Sequence, residues 1–201
     1  MNSTPTLPET HSLAWEVSLK KDTRLNILLQ VAGVFWVGIV ALFLWWAFRA
    51  LRPDLREMHL SGDILTTFAW FFVSLVISIS LHELAHGAFF WWFAKQPPKF
   101  GMGPGYAYAA MPGWYFPKRQ YLVIGLAPLV GLTALGLVFI PFLPSWLLGP
   151  FFMGMVLNAG GAIGDIYICL RIAREAEDAL VKDLGDGMEV YRRESMSGVR
   201  I

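Results

Sequence analysis

The chain has 201 residues, of which 56% are hydrophobic and only 15% charged, with nine Trp and fifteen Phe. A soluble domain of this length could not hide so much apolar surface, whereas a lipid bilayer accepts it, so membrane lipid is the expected surrounding. The net charge of +1 comes from balanced acids and bases with no basic stripe, which argues against nucleic acid as a partner, and Cys169 as the single cysteine excludes an internal disulfide or a cysteine-built metal cluster.

Residues 1–24 are polar, contain Pro5 and Pro8 and lack an apolar run, so they read as a loose N-terminal segment, His11 included, and not as a cleavable signal peptide. Between Arg24 and Arg49 lie 24 residues without a charge, slightly more than the roughly 20 that cross a bilayer. His59 falls in the connection that follows. A second apolar stretch, Ile64 to Ala94, is interrupted only by His82, Glu83 and His86. The segment from Lys95 to Arg119 is rich in Gly, Pro and aromatics, and its Tyr106 to Met111 alternates large and small residues as a short strand does. Gln120 to Gly164 is uncharged for 45 residues, enough for about two crossings, with Pro141, Pro144, Gly149 and Pro150 supplying the break. In the tail after Arg171, Asp183 to Tyr191 reads as strand-turn-strand, with too short a carboxylate ladder for a calcium loop.

The expected fold is therefore an all-α membrane protein. Four transmembrane helices, at about 25–48, 64–94, 121–140 and 147–170, follow the N-terminal segment; a small β-like loop separates spans 2 and 3, and 171–201 form a tail. With the N-terminus inside, Lys20, Lys21, Arg24, Lys95, Lys99, Lys118, Arg119, Arg171 and Arg174 are cytoplasmic and only Arg49, Arg52 and Arg56 lie outside. That distribution follows the positive-inside rule, with both termini cytoplasmic and His82 and His86 in the cytoplasmic half of span 2.

On a helix, His82 and His86 share one face and can aim imidazole nitrogens at a single ion. Glu83, offset by about 100°, sits beside that ion as a general base for a zinc-bound water. Three ionisable groups within five residues of a span are costly without a compensating partner, which a bound cation supplies. A catalytic zinc takes a third protein ligand. Asp63 lies 19 residues before His82, about 28 Å along a helix, and is too distant. Asp165 is the one carboxylate inside span 4, at comparable depth, on a face with Gly154, Asn158 and Gly161 whose small residues permit close helix approach. The competing reading pairs Asp165 with Arg171. Asn158 is a candidate for holding a substrate backbone or an oxyanion, or alternatively a link between helices. Ser74 and Ser78 continue the His82 face as packing residues.

These residues, His82-Glu83-Leu84-Ala85-His86-Gly87 in a span with a later intramembrane Asp, resemble the site-2 protease type of intramembrane zincin. The chain is more closely similar, over most of residues 60–195, to a zincin-peptidase family of small four-span bacterial membrane proteins. Tyr115 to Tyr121 and Gly164-Asp165 also carry that similarity, although Gly164 and Ile166 flank Asp165 where site-2 proteases have Leu or Pro before it and Gly after. The resemblance implies one zinc ion on His82, His86 and Asp165, water activation by Glu83, a bacterial cytoplasmic membrane, and a peptide or membrane-protein substrate. It also implies that the substrate pairs as a strand near the site, for which Tyr106 and Tyr108 are the candidate edge. A different class of function uses the same cluster without catalysis, as a metal-bound helix staple, a transport element or a scaffold.

Overall fold

The structure, a computed structural model, describes residues 2–18, 22–53, 63–103, 106–185 and 187–194, with Tyr106 described by its backbone alone. Lys20, Lys21, Arg56, His59 and Asp186, which enter the sequence reading, lie outside the described residues.

Among the described residues, four helical stretches are long and apolar enough to cross a membrane: Thr23–Leu51, Ile64–Ala94, Lys118–Phe142 and Ser145–Ala173. The first two are single helices, α1 and α2. Each starts at an aspartate whose carboxylate accepts an otherwise orphaned backbone N–H: Leu25 donates to Asp22 at 3.0 Å and Thr66 to Asp63 at 2.9 Å. The third stretch is composite. Helix α3, Lys118–Ala127, passes into a π-helical turn at Pro128–Leu132, then α4 at Thr133–Phe139 and a 3-10 turn at Ile140–Phe142. The fourth is α5, Ser145–Gly161, and α6, Ile163–Ala173, parted at Ala162 after the Gly160-Gly161 pair.

The all-α expectation needs correction, because two sheets are present among the described residues. Strands β1 (His11–Ser18), β4 (Tyr115–Pro117), β5 (Leu180–Asp183) and β6 (Gly187–Arg193) form an antiparallel sheet in the order β1-β6-β5-β4. Between α2 and α3, β2 (Lys99–Gly103) and β3 (Tyr106–Ala110) pair as a two-stranded sheet. The N-terminal segment, expected to be loose, is the strand that pairs with β6 from His11↔Arg193 to Ser18↔Gly187. His11 is buried, its Nε2 3.1 Å from the Asp178 carbonyl.

The chain divides into two units. One comprises Met1–Asn26, His86–Gly125 and Tyr167–Ile201; its core places Phe90, Ile124 and Ile172 among the sheet residues Phe116, Val181, Met188 and Val190. The other comprises Ile27–Ala85 and Leu126–Ile166; its core is Val40, Leu44 and Phe48 of α1 with Ile140, Leu148, Met155 and Ala159.

Candidate metal centre

Helix α2 runs unbroken through His82, Glu83 and His86, so helix geometry alone puts the two imidazoles on one face, one turn apart, with Glu83 rotated by about 100°. Gly87 follows for want of room. A Cβ there would meet the Phe100 ring at 2.5 Å and Pro98 at 3.3 Å, so the β2 strand lies against this turn of the helix.

His82 is held from two directions. Its Nδ1 lies 3.1 Å from Asn158 Oδ1 and its Nε2 3.1 Å from Asp165 Oδ2. The proton positions follow from the partners. Asn158 Nδ2 donates to the Pro128 carbonyl at 3.0 Å, and because a carbonyl can only accept, the amide oxygen must be the end that faces His82. An amide oxygen also only accepts, so His82 Nδ1 carries a proton and donates it. In the neutral ring, Nε2 then presents a lone pair to the Asp165 carboxylate. Two acceptors 3.1 Å apart, on side chains only 12% and 24% exposed, require a proton or a cation to bind them.

The same logic applies to His86. Its Nδ1 is 2.9 Å from the Ile124 carbonyl and must donate to it, which makes Nε2 the nitrogen that could ligate a metal. Ile124 is four residues before Pro128, and a proline has no N–H to return to that carbonyl. Pro128 thus frees the acceptor that orients His86, while its own carbonyl anchors Asn158. Metal-ligating histidines almost always donate the second ring N–H to a carbonyl or carboxylate, and both histidines have such a bond in place. With a carboxylate for the third donor, the chemistry of the set fits zinc.

A model of the family described as "Putative zincin peptidase" matches residues 75–180. The chain belongs to that family. The matched stretch opens inside α2, closes at the first residue of β5, and takes in His82, Glu83, His86, Pro128, Asn158 and Asp165. The zincin description points to a metallopeptidase and to zinc. No curated protein and no solved structure matches the chain.

Asp165 stands in the first turn of α6, where the helix dipole favours a carboxylate. The shared helix face expected for Gly154, Asn158, Gly161 and Asp165 is interrupted, because the break at Ala162 makes Asp165 the opening of a new helix. The alternative partner, Arg171, is occupied otherwise, donating to the Tyr167 hydroxyl at 3.2 Å and lying 4.0 Å over the Trp15 ring. Asn158, a candidate for substrate contact from sequence, has its amide engaged at both ends. Ser74 donates to the Pro150 carbonyl at 3.0 Å, as a packing residue does. Tyr106 and Tyr108 lie on β3, one edge of the two-stranded sheet, with Tyr108 opposite Gly101 and its ring against Gly101 and Gly185. Asp183 is taken up by the Tyr121 hydroxyl at 2.6 Å and by the Gly185 N–H at 2.8 Å. Sequence reasoning missed Ile124 and Pro128, which act through backbone carbonyls; the proline inside an apolar run was the available signal.

Proposed function

We propose that the chain is a membrane-embedded zinc metallopeptidase that hydrolyses a peptide bond near the cytoplasmic face. One observation carries this reading: each histidine of the His82-Glu83-Leu84-Ala85-His86 pair donates through Nδ1 to a fixed oxygen, which turns Nε2 toward the ligand role. His82, His86 and Asp165 hold one zinc ion. When bound, zinc polarises the scissile carbonyl and makes water a competent nucleophile at neutral pH. Glu83, on the adjacent helix face, accepts a proton from the attacking water and delivers it to the departing amine. Asn158 sets the His82 ring plane, and β3 offers an edge to which an extended substrate adds by backbone pairing, with Tyr106 and Tyr108 beside it. A helical substrate must unwind first, since its own hydrogen bonds occupy its peptide groups.

The cytoplasmic assignment is supported by the excess of Lys and Arg. Strand pairing is consistent with an even number of crossings, since β1, β4 and β6, which share one sheet, come from the N-terminal segment, the connection between spans 2 and 3 and the C-terminal segment. The decisive experiment uses protein in lipid nanodiscs. Zinc per chain should be near one in the parent and in Glu83→Gln, and lost in His82→Ala and Asp165→Ala. Membrane proteins that accumulate uncut in cells carrying Glu83→Gln should be cleaved when parent protein is restored. Bound zinc with no Glu83-dependent cleavage of any membrane protein would replace the peptidase with a metal staple.

A further inference from the structure

The unit of residues 27–85 and 126–166 contains a cavity of about 320 Å³. Along α2 its wall runs from Trp70 to Leu81, eleven residue steps or about 16 Å at the helical rise. The opposite walls come from Leu132 to Phe139 and from Leu147 to Asn158. Spread over such a length, 320 Å³ makes a narrow slot. A helix, 10–12 Å across, does not fit. An extended peptide would bury a donor and an acceptor at every residue, against walls whose polar groups are Ser74, already bonded to Pro150, Ser78, and Asn158, already bonded to His82 and Pro128. The cavity is also more than twice the size of an apolar cavity that admits benzene.

Two ends and one side distinguish the slot. Wall residues Val73, Ile77, Leu81, Leu135 and Phe139 are each 45–53% exposed, so the side opens laterally among apolar residues. At one end Trp70 and Trp146 lie with ring centroids 6.2 Å apart. There the turn linking the wall residues Phe139 and Leu147 receives a hydrogen bond from Arg52, whose guanidinium donates to the Leu143 carbonyl at 2.7 Å. Tryptophan and arginine are the residues that meet lipid headgroups, and a guanidinium suits a phosphate. At the other end stand Leu81 and Asn158, the latter bonded to His82.

We propose that this slot binds one acyl chain of a bilayer phospholipid, with the phosphate toward Arg52 and the terminal methyl against Leu81 and Asn158. The seated chain closes the apolar side of the Asn158–His82 hydrogen bond against water and couples the metal centre to the surrounding lipid.

The test places the full chain in phosphatidylglycerol-containing nanodiscs with a phosphatidylglycerol carrying a photoactivatable diazirine at its chain terminus, and maps adducts by mass spectrometry. Adducts should concentrate on the deep wall around Leu81 and Leu132. Gly154 lines the slot, and a Cβ there meets nothing within 4 Å, so Gly154→Leu starts in open space and its remaining atoms occupy part of the slot. Labelling should fall about tenfold in that variant, since a leucine displaces several buried methylenes, while zinc content stays at the parent level. Leu135→Trp, at the exposed mouth, should act alike and serves where Gly154→Leu does not fold. Adducts spread evenly over the exposed faces of α1 and α2, or labelling unchanged in both variants, would overturn the proposal. So would suppression of labelling by an unacylated hydrophobic peptide, which would make the cavity a substrate subsite. Zinc content reports on the metal centre independently of either result.

Discussion

At the scale of single residues, the site is built from atoms that can act in only one way. Pro128 lacks an N–H, so the Ile124 carbonyl accepts from His86, and the Pro128 carbonyl accepts from Asn158, which must then turn its oxygen to His82. Replacing Asn158 with Leu removes that constraint, and zinc affinity should fall about 10–100-fold by chelator competition. Unchanged affinity would show that His82 is oriented by other means. Pro128→Ala restores a backbone N–H that competes for the Ile124 carbonyl; it should weaken zinc less than Asn158→Leu does. It should also perturb the His86 imidazole nitrogens, read by nitrogen NMR, more than those of His82. With Glu83 in the proposed role of general base, Glu83→Gln should leave zinc in place and stop hydrolysis, because an amide cannot take up the proton.

At the scale of elements, the helices are set by close approach. A Cβ on Gly160 would fall 2.5 Å from Val37 Cγ2, and the neighbouring Ala159 carbonyl accepts from the Trp36 indole at 2.7 Å, so α1 and α5 touch backbone to side chain at the level of Asn158. Gly160→Leu should cost about 1–3 kcal/mol through overpacking, seen as a lower melting temperature in detergent, and Val37→Ala should recover most of it. Failure of that rescue would place the strain elsewhere. The break at Ala162 belongs to this scale too, since it turns Asp165 from one residue of a long face into the first-turn carboxylate of α6.

At the scale of the whole molecule, β1 and β6 are tied by their sheet pairing and by an ion-pair cluster. Glu175 accepts from Arg192 Nε at 2.6 Å, from Arg192 Nη2 at 2.9 Å and from the Trp15 indole at 2.8 Å, joining β1 to β6. The Arg192 hydrogen bonds, helped by Trp15, hold its carboxyl below the ordinary value of 4.5 against the opposing effect of burial. A depressed folded-state value contributes stability that is present above the unfolded-state value and disappears as pH falls through the folded one. The melting temperature should therefore drop on acidification below about pH 4.5, and Glu175→Gln should melt lower at neutral pH with a shallower acid dependence. A variant with the parent's acid profile would assign that dependence to other carboxylates.

Composition and uncharged run lengths were sufficient to read the four long apolar helices, because a span's hydrophobicity is a local property that each segment carries alone. The His82–Glu83–His86 geometry was equally legible, since the helical repeat converts spacing directly into a shared face. The β5–β6 strand-turn-strand and β3 were also legible, but the joining of β1 to β6 was not, because His11 lies opposite Arg193, some 180 residues away, and a polar segment shows no sign of a distant edge until it is paired. Nor could sequence assign the work of Asn158 or the carbonyls of Ile124 and Pro128, whose roles depend on which acceptor lies within about 3 Å of which donor. Sequence determined which residues could ligate a metal; tertiary structure decided which nitrogen each histidine presents, because a tautomer is set by the neighbour that receives its proton.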